Sequence, residues 1–115
     1  MEDRMMQSML LDFYGELLTE RQRSCYELHV NEDLSLSEIA EQCGISRQGV
    51  WDNIRRAEQT LREIEEKTGL VRRFTELRQG LARVEKHLEH AEQLSSGELQ
   101  QDLRRLLREV RQLEE

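Results

Sequence analysis

Apolar residues recur three and four positions apart along most of the chain, which is the pattern of amphipathic helices. The first such stretch is residues 4–18, whose spacing predicts one apolar face made of Met6, Met9, Leu10, Phe13 and Leu17, widened by Leu11, Tyr14 and Leu18. Thr19 and Gln22 then form a capping box, in which each side chain satisfies a backbone N–H of the other residue. A second helix is therefore predicted over residues 20–30.

The next stretch has the spacing of a helix-turn-helix motif. A second capping box begins at Ser35 and opens a short predicted helix over 36–43, and a long one follows over 46–68 with Ser46 as its N-cap. Between them, Gly44 supplies the left-handed backbone position that a tight turn needs. The angle between the two helices is expected to be filled by Ile39, Ile45, Val50 and Ile54.

Beyond Gly69 the apolar pattern changes to a seven-residue repeat, which is typical of coiled coils. The repeat shifts by one residue at a Ser-Ser-Gly sequence, where Ser95 could open a further capping box. The shift predicts two helices, over about 70–93 and 97–113, that could fold back as a hairpin.

The seven-residue repeat gives each of these two helices a narrow apolar stripe, which cannot make the helix stable alone. Each stripe must therefore pack on the other, on the long helix before it, or on a second copy of the chain. We favour a homodimer. The predicted contact surface of this dimer, which we call the seam, consists of Phe74, Leu77, Leu81, Val84, Leu88, Leu99, Leu103, Leu106 and Val110.

The composition favours an all-α fold, because aromatic residues make up only 4% of the 115-residue chain and proline is absent. We expect residues 1–69 to form a helix-turn-helix domain with a three-helical core and no wing, and residues 70–115 to form coiled-coil-like helices. The sequence has no run of about 18 apolar residues, and its first six residues carry acids where a signal peptide would be basic. A cytoplasmic protein outside the membrane is therefore expected.

The formal net charge of −7 is unevenly spread along the chain. Residues 1–70 contain eight Lys/Arg and fifteen Asp/Glu, whereas residues 71–115 contain nine of each. This balance disfavours a non-specific electrostatic grip on nucleic acid. Within residues 46–58, however, three arginines outnumber two acids, so the local charge can still favour a phosphate backbone.

The outward face of the long helix carries the candidate nucleic-acid-binding residues, namely Ser46, Arg47, Gln48, Trp51, Asp52, Arg55 and Arg56. Arg47 and Gln48 are suited to base edges or phosphates, and the adjacent pair of arginines to the flanking backbone. Trp51 could contact a thymine methyl, stack on an unpaired base, anchor a protein partner or lie partly in the core. Asp52 is expected to repel phosphate.

Catalytic and metal sites are not predicted. The three histidines have no nucleophile that the sequence places beside them, and there is no phosphate-binding glycine loop. Cys25 and Cys43 fall at apolar positions of predicted helices, where a cytosolic thiol behaves as a small buried hydrophobe. Together with His29, the two cysteines would supply three metal ligands. A fourth ligand is absent, and the spacing of the three fits no common zinc site. We expect no enzyme, no cofactor and no small-molecule substrate.

Three segments carry a family resemblance: LDFYGELLTERQR (11–23), EDLSLSEIA (32–40) and SRQGVWDNIRRAE (46–58). They resemble the bacterial YlxM family of small helix-turn-helix proteins over about residues 5–70. The same segments resemble region 4 of bacterial sigma factors, which recognises promoter elements, although nothing resembles the other sigma regions. The YlxM resemblance implies a cytosolic DNA-binding regulator associated with the signal recognition particle pathway, because the gene commonly lies beside those for the particle's protein components.

Two functions remain open from the sequence. In the first, a homodimer presents two recognition helices to duplex DNA and regulates transcription. In the second, the same fold is an adaptor that engages protein or structured RNA of the targeting machinery, using Trp51 and the acidic N-terminal helices. The expected partner is DNA in the first case and signal recognition particle protein or RNA in the second.

Overall fold

A computed structural model describes residues 3–115, and within this range the chain contains α-helices, one short 3-10 helix and no strand. The helices are α1 (Arg4–Tyr14), α2 (Glu20–Val30), α3 (Leu36–Cys43), α4 (Arg47–Thr68), α5 (Leu70–Leu94) and α6 (Gly97–Glu114), with the 3-10 helix Gly15–Leu17 directly after α1. The predicted all-α fold with a helix-turn-helix is confirmed. None of the described helices is long and apolar enough to cross a membrane.

The chain divides into two compact units, which we call the helix-turn-helix unit (described residues 3–71) and the hairpin unit (72–115). The division falls two residues beyond Gly69, where the sequence pattern changes. Val71 belongs with the first unit because its side chain is fully buried in that core. Its backbone N–H also donates a hydrogen bond to Glu65 of α4, over 3.0 Å.

The helix-turn-helix unit is organised around α4, on which α1, α2 and α3 all pack. Both predicted capping boxes are confirmed: Thr19 and Gln22 open α2, and Ser35 and Glu38 open α3. The core that these helices enclose consists of Leu10, Leu11, Tyr14, Leu18, Cys25, Tyr26, Val30, Ile39, Val50, Ile54, Ala57, Leu61 and Val71.

The first helix is shorter than the single helix expected over 4–18. The α-helix ends at Tyr14, and the next three residues form the 3-10 helix. The reason lies in the start of α2: Thr19 caps that helix from an extended conformation, and Leu18 before it is also extended, at φ −82° and ψ 156°. The chain must therefore leave α-helical geometry before Leu18, and it does so at Tyr14, whose φ of −122° and ψ of 2° depart from helical values.

The buried face of α1 also differs from the predicted one. Leu10, Leu11 and Tyr14 are buried, whereas Phe13 and Leu17 are 40% and 68% exposed. The apolar residues of α1 cover a wider arc than α4 can contact, so spacing alone did not determine which edge turns inward.

A hydrogen-bonded cluster around Tyr14 fixes the rotation of α1 against α4. The Tyr14 hydroxyl donates to Glu65 Oε1 at 2.6 Å and lies 2.7 Å from Thr68 Oγ1. Burial, together with the hydrogen bond to the Glu65 carboxylate, raises the pKa of Tyr14. The same Glu65 oxygen accepts the Val71 N–H, so one carboxylate joins α1, α4 and the start of α5.

In the hairpin unit, α6 folds back beside α5 in the same chain. Arg111 of α6 contacts Glu85 at 2.8 Å and Glu89 at 3.1 Å, and Arg104 contacts Glu92 at 2.7 Å. The later residue of α6 meets the earlier residues of α5, so the two helices are antiparallel.

The contact between α5 and α6 uses only one flank of each apolar stripe. Leu107, which lies outside the predicted seam, is 5% exposed. In contrast, Leu77 and Val84 of α5 are 60% and 46% exposed, and Leu99 and Leu106 of α6 are 61% and 45% exposed. A helix repeats every 3.6 residues, so Leu107 lies at the edge of the stripe nearer α5 and the seam residues lie beyond it.

The predicted capping box at Ser95 is wrong. The Ser95 hydroxyl donates instead to the carbonyl oxygen of Glu92, at 2.8 Å, and so satisfies a free acceptor at the end of α5. Ser96 occupies the N-cap position of α6 and makes no side-chain capping bond. The break between two helices nevertheless falls where the heptad shift predicted it.

Candidate nucleic-acid interface

The helix-turn-helix begins with a short helix whose start is firmly capped. The Ser35 hydroxyl accepts the Glu38 N–H at 3.1 Å, and the Glu38 carboxylate accepts the Ser35 N–H at 2.9 Å. Hydrogen bonding of the Glu38 carboxylate, to the Ser35 backbone first and to the Ser35 side chain second, lowers the pKa of Glu38. At the other end of α3, Arg21 donates to the carbonyl oxygen of Cys43 at 2.9 Å. The eight-residue helix is therefore held at both ends.

The turn between the two helices depends on Gly44. This residue has φ 67° and ψ 34°, the left-handed conformation that side chains disfavour. Its N–H donates to the Ala40 carbonyl oxygen at 2.9 Å, and the Ile45 N–H donates to the same oxygen at 3.2 Å. The turn thus closes α3 and directs the chain into α4 within three residues.

Ser46 caps α4, and Gly49 makes room for that cap. The Ser46 Oγ accepts the Gly49 N–H at 3.0 Å. A Cβ atom at position 49 would lie 3.2 Å from Ser46 Oγ and 3.6 Å from Ile45 Cδ1, so a larger residue would crowd the cap. This close approach explains a glycine in the first turn of the helix despite its low helix propensity.

The inward face of α4 is locked in the core. Val50, Ala57 and Leu61 are fully buried and Ile54 is 8% exposed, as their spacing predicted. A helix held in this way along three turns cannot rotate without exposing those side chains. Its opposite face is consequently presented to solvent in a fixed orientation.

The outward face is dominated by Trp51 and Arg55. The Trp51 side chain is 46% exposed, and the Arg55 guanidinium carbon lies 4.9 Å from its ring centroid, a cation–π contact. Arg47, Gln48 and Trp51, together with Leu36 of α3, line an open depression of about 520 Å³. The structure therefore brings four of the predicted site residues together: two cations, an amide and an indole ring.

The remaining site residues lie at the margin of this group. Gln48 Nε2 donates to Asp52 Oδ1 at 3.2 Å, so the carboxylate of Asp52 is held beside the amide of Gln48. Arg56 is exposed, but it follows Arg55 in the helix and therefore lies roughly 100° further round the axis. Its guanidinium belongs to the flank of the surface.

Two features of the site were missed from the sequence. The Trp51–Arg55 contact has a local signal, because residues four apart share a helix face. The position of Leu36 has no local signal in the sequence, because Leu36 lines the depression only as a result of the angle at which α3 meets α4.

The two cysteines differ in their environments. Cys25 is fully buried and Cys43 is half-buried, and both are free thiols. Burial, with the Cys43 thiol nearby, raises the pKa of Cys25 to about 11. Within residues 3–115, no group of three or more His, Cys, Asp or Glu side chains is arranged to hold a metal ion.

Comparison with known proteins gives the family. The model of the UPF0122 family, described as "Putative helix-turn-helix protein, YlxM / p13 like", matches residues 1–103. The chain belongs to the UPF0122 family. The resemblance to YlxM proteins predicted from three sequence segments is thereby confirmed.

Similar UPF0122 proteins come from several bacteria. The UPF0122 protein of Desulforamulus reducens is 53% identical over 77 residues, which cover 67% of this chain and 66% of the relative. That of Thermoanaerobacter sp. strain X514 is 46% identical over 88 residues, covering 76% of this chain and 75% of the relative. The Geobacillus kaustophilus protein is also 46% identical over 88 residues, covering 76% and 80% respectively.

Proposed function

We propose that this UPF0122 protein is a non-enzymatic, cytosolic regulator that inserts the start of α4 into the major groove of duplex DNA. The observation that carries the proposal is the fixed outward presentation of Arg47, Gln48, Trp51 and Arg55 from a helix whose other face is locked in the core. Guanidinium and amide groups at the start of a recognition helix are the groups that read base edges and phosphates. The resemblance to sigma region 4 supports the same docking mode.

The electrostatics of the chain limit how such binding works. With a formal net charge of −7, long-range attraction to DNA is weak. Affinity must therefore rest on short-range contacts, and a second copy doubles the number that α4 makes.

The hairpin unit supports a homodimer. Leu77 and Val84 of α5 and Leu99 and Leu106 of α6 are 45–61% exposed although they follow a heptad repeat. Burial of these side chains against the hairpin of a second copy removes apolar surface from water. This burial stabilises the dimer by about 25 cal/mol for each Å² buried. The paired hairpins then hold two helix-turn-helix units for the two halves of a binding site.

A second candidate function is an adaptor for protein or RNA of the signal recognition particle pathway, the pathway that the YlxM resemblance implies. The observation that favours it is Trp51, whose half-exposed ring suits an unpaired base or a protein pocket. The adjacent Asp52 carboxylate and the acidic first 70 residues also suit a protein partner better than a phosphate backbone.

The first test measures binding to a library of duplex DNA sequences at several salt concentrations. For Arg47→Ala we expect a loss of affinity of about five- to 150-fold at the preferred sequences, the cost of one good base contact. Arg105→Ala, an exposed arginine of α6, is the matched control and should bind like the wild type. Equal affinity of the wild type and the Arg47 variant for every duplex would reject the proposal.

The second test separates the two candidates by recovering whatever nucleic acid and protein the purified chain captures from its own cell extract. Genomic fragments that share a sequence support the regulator. Recovery of ribosomal or targeting components alone supports the adaptor and rejects the regulator.

A further inference from the structure

Between residues 83 and 92, the charges of α5 are segregated around its axis. Glu85 and Glu89 both contact Arg111, and Glu92 contacts Arg104, at distances of 2.7–3.1 Å. Three carboxylates of α5 thus face α6 and pair with two of its arginines. Arg83 and Lys86 take part in none of these ion pairs and lie on a different side of the helix.

Two cations and two histidines form a stripe on the side of α5 away from the apolar seam. The stripe begins at Arg83 and continues with Lys86, His87 and His90, which follow it by three, four and seven residues. All four side chains are exposed. The stripe spans roughly 10 Å of helix, at 1.5 Å per residue. Leu77 and Val84 lie well over 90° round the axis from its centre, so a partner hairpin seated on the seam leaves it accessible.

Local neighbours do not neutralise this stripe. On a helix, side chains interact with those three and four positions away. For Arg83, Lys86, His87 and His90, these positions hold neutral residues or one another, with Glu89 as the single acid. Glu89 is already bonded to Arg111 at 3.1 Å.

We propose that this basic stripe of α5 is a second nucleic-acid contact, which binds the phosphate backbone. Arginine and lysine bind phosphate oxygens, and imidazole N–H groups donate hydrogen bonds to them. Four cationic or N–H donor groups in a row suit a line of phosphates, whereas reading bases requires insertion into a groove. The inference rests on the proposed function, and it explains how a chain of net charge −7 adds sequence-independent affinity to the contacts of α4.

The test replaces two cations of the stripe in the full chain, as Arg83→Gln with Lys86→Gln. The control, Arg105→Gln with Arg108→Gln, removes the same charge from exposed positions of α6. Fluorescence anisotropy with a 20-bp duplex of random sequence gives Kd between 50 and 300 mM KCl. The slope of log K against log salt is negative, and each phosphate contact contributes about 0.9 to its magnitude. We therefore expect this magnitude to decrease by about 2 in the stripe variant for each chain that contacts the duplex. The control should keep the wild-type slope.

The outcomes separate the inference from the proposed function. An unchanged slope in the stripe variant, with Arg47→Ala still weakened, overturns the stripe and keeps the recognition helix. A reduced slope in the stripe variant, with Arg47→Ala unaffected, supports the stripe and rejects the recognition helix. Absence of duplex binding by the wild type overturns both. If the stripe variant loses binding only to phosphatidylglycerol vesicles, the surface contacts membrane and the inference is also overturned.

Discussion

The two units of this chain are both helical, yet they use their apolar residues in opposite ways. In the helix-turn-helix unit, large side chains such as Tyr26, Ile39 and Leu61 are fully buried. Within residues 72–115 only Leu107 is more than nine-tenths buried, and four leucine or valine residues of the heptads are about half exposed. The first unit therefore carries its own core, whereas the second leaves much of its apolar surface exposed to solvent.

The polar contacts of the two units differ in the same sense. In the helix-turn-helix unit they fix packed elements, as Tyr14 and Glu65 join α1 to α4 at 2.6 Å. In the hairpin unit, exposed arginines such as Arg111 join α5 to α6. Exposed ion pairs contribute at most about 1 kcal/mol each, so these contacts add little to the stability of the hairpin.

The largest expected effect is the loss of the core of the first unit. Leu61→Ala removes a fully buried side chain and should lower the free energy of unfolding by about 2–5 kcal/mol. Leu94→Ala, at a position that is 77% exposed in α5, is the matched change and should cost less than about 0.5 kcal/mol. Urea denaturation followed by circular dichroism measures both. Similar costs for the two variants would remove the distinction between the units.

If the proposed homodimer forms through the hairpin, a charge in the exposed seam should separate its two copies without unfolding the first unit. Val84→Glu places a carboxylate among the apolar side chains of α5, and we expect the mass in sedimentation equilibrium to fall from twice 13.7 kDa to 13.7 kDa. Gln79→Glu, which adds the same charge on another side of the helix, should leave the mass unchanged. A dimer that survives Val84→Glu would place the interface elsewhere.

The helix caps provide a smaller contrast. Ser46→Ala removes the side-chain acceptor that caps α4 and should destabilise the helix-turn-helix unit by about 1 kcal/mol. Ser96→Ala removes no capping bond from α6 and should change stability by less than about 0.5 kcal/mol. Differential scanning calorimetry of the two variants tests this order, and a larger loss for Ser96→Ala would contradict it.

The smallest effect is a dependence on alkaline pH that only the first unit should show. The pKa of Cys25 is raised to about 11 from its ordinary value of 9.0, and that of Tyr14 is raised as well. Because folding holds both groups protonated, their contribution is complete below pH 9. That of Cys25 is lost as the pH rises toward 11, and that of Tyr14 as the pH rises above 10.0. Residues 72–115 contain neither Cys nor Tyr. Urea titrations at pH 8 and pH 10.5 should show lower stability at the higher pH, with a smaller drop in Cys25→Ala.

The features predicted well from the sequence are those with local causes. Capping boxes at Thr19 and Ser35, the left-handed Gly44 and the inward face of α4 each depend on residues within a few positions of one another. The family was also recognisable, because its segments lie in these local elements.

The features that were missed depend on long-range packing. The end of α1 is set by the cap of the following helix, and its buried edge by the bond between Tyr14 and Glu65, 51 residues apart. Leu36 joins Trp51 only through the angle between two helices. Leu107 is buried because α6 packs on α5 through one flank of its stripe, which a heptad pattern does not specify.

The central claim is that paired hairpins present two α4 helices to one duplex. Sedimentation equilibrium of the full chain, alone and with a short duplex selected from the binding library, tests it most directly. We predict a mass of twice 13.7 kDa for the protein alone and two chains for each duplex in the complex. A 13.7 kDa species at all concentrations, or one chain for each duplex, would contradict the account.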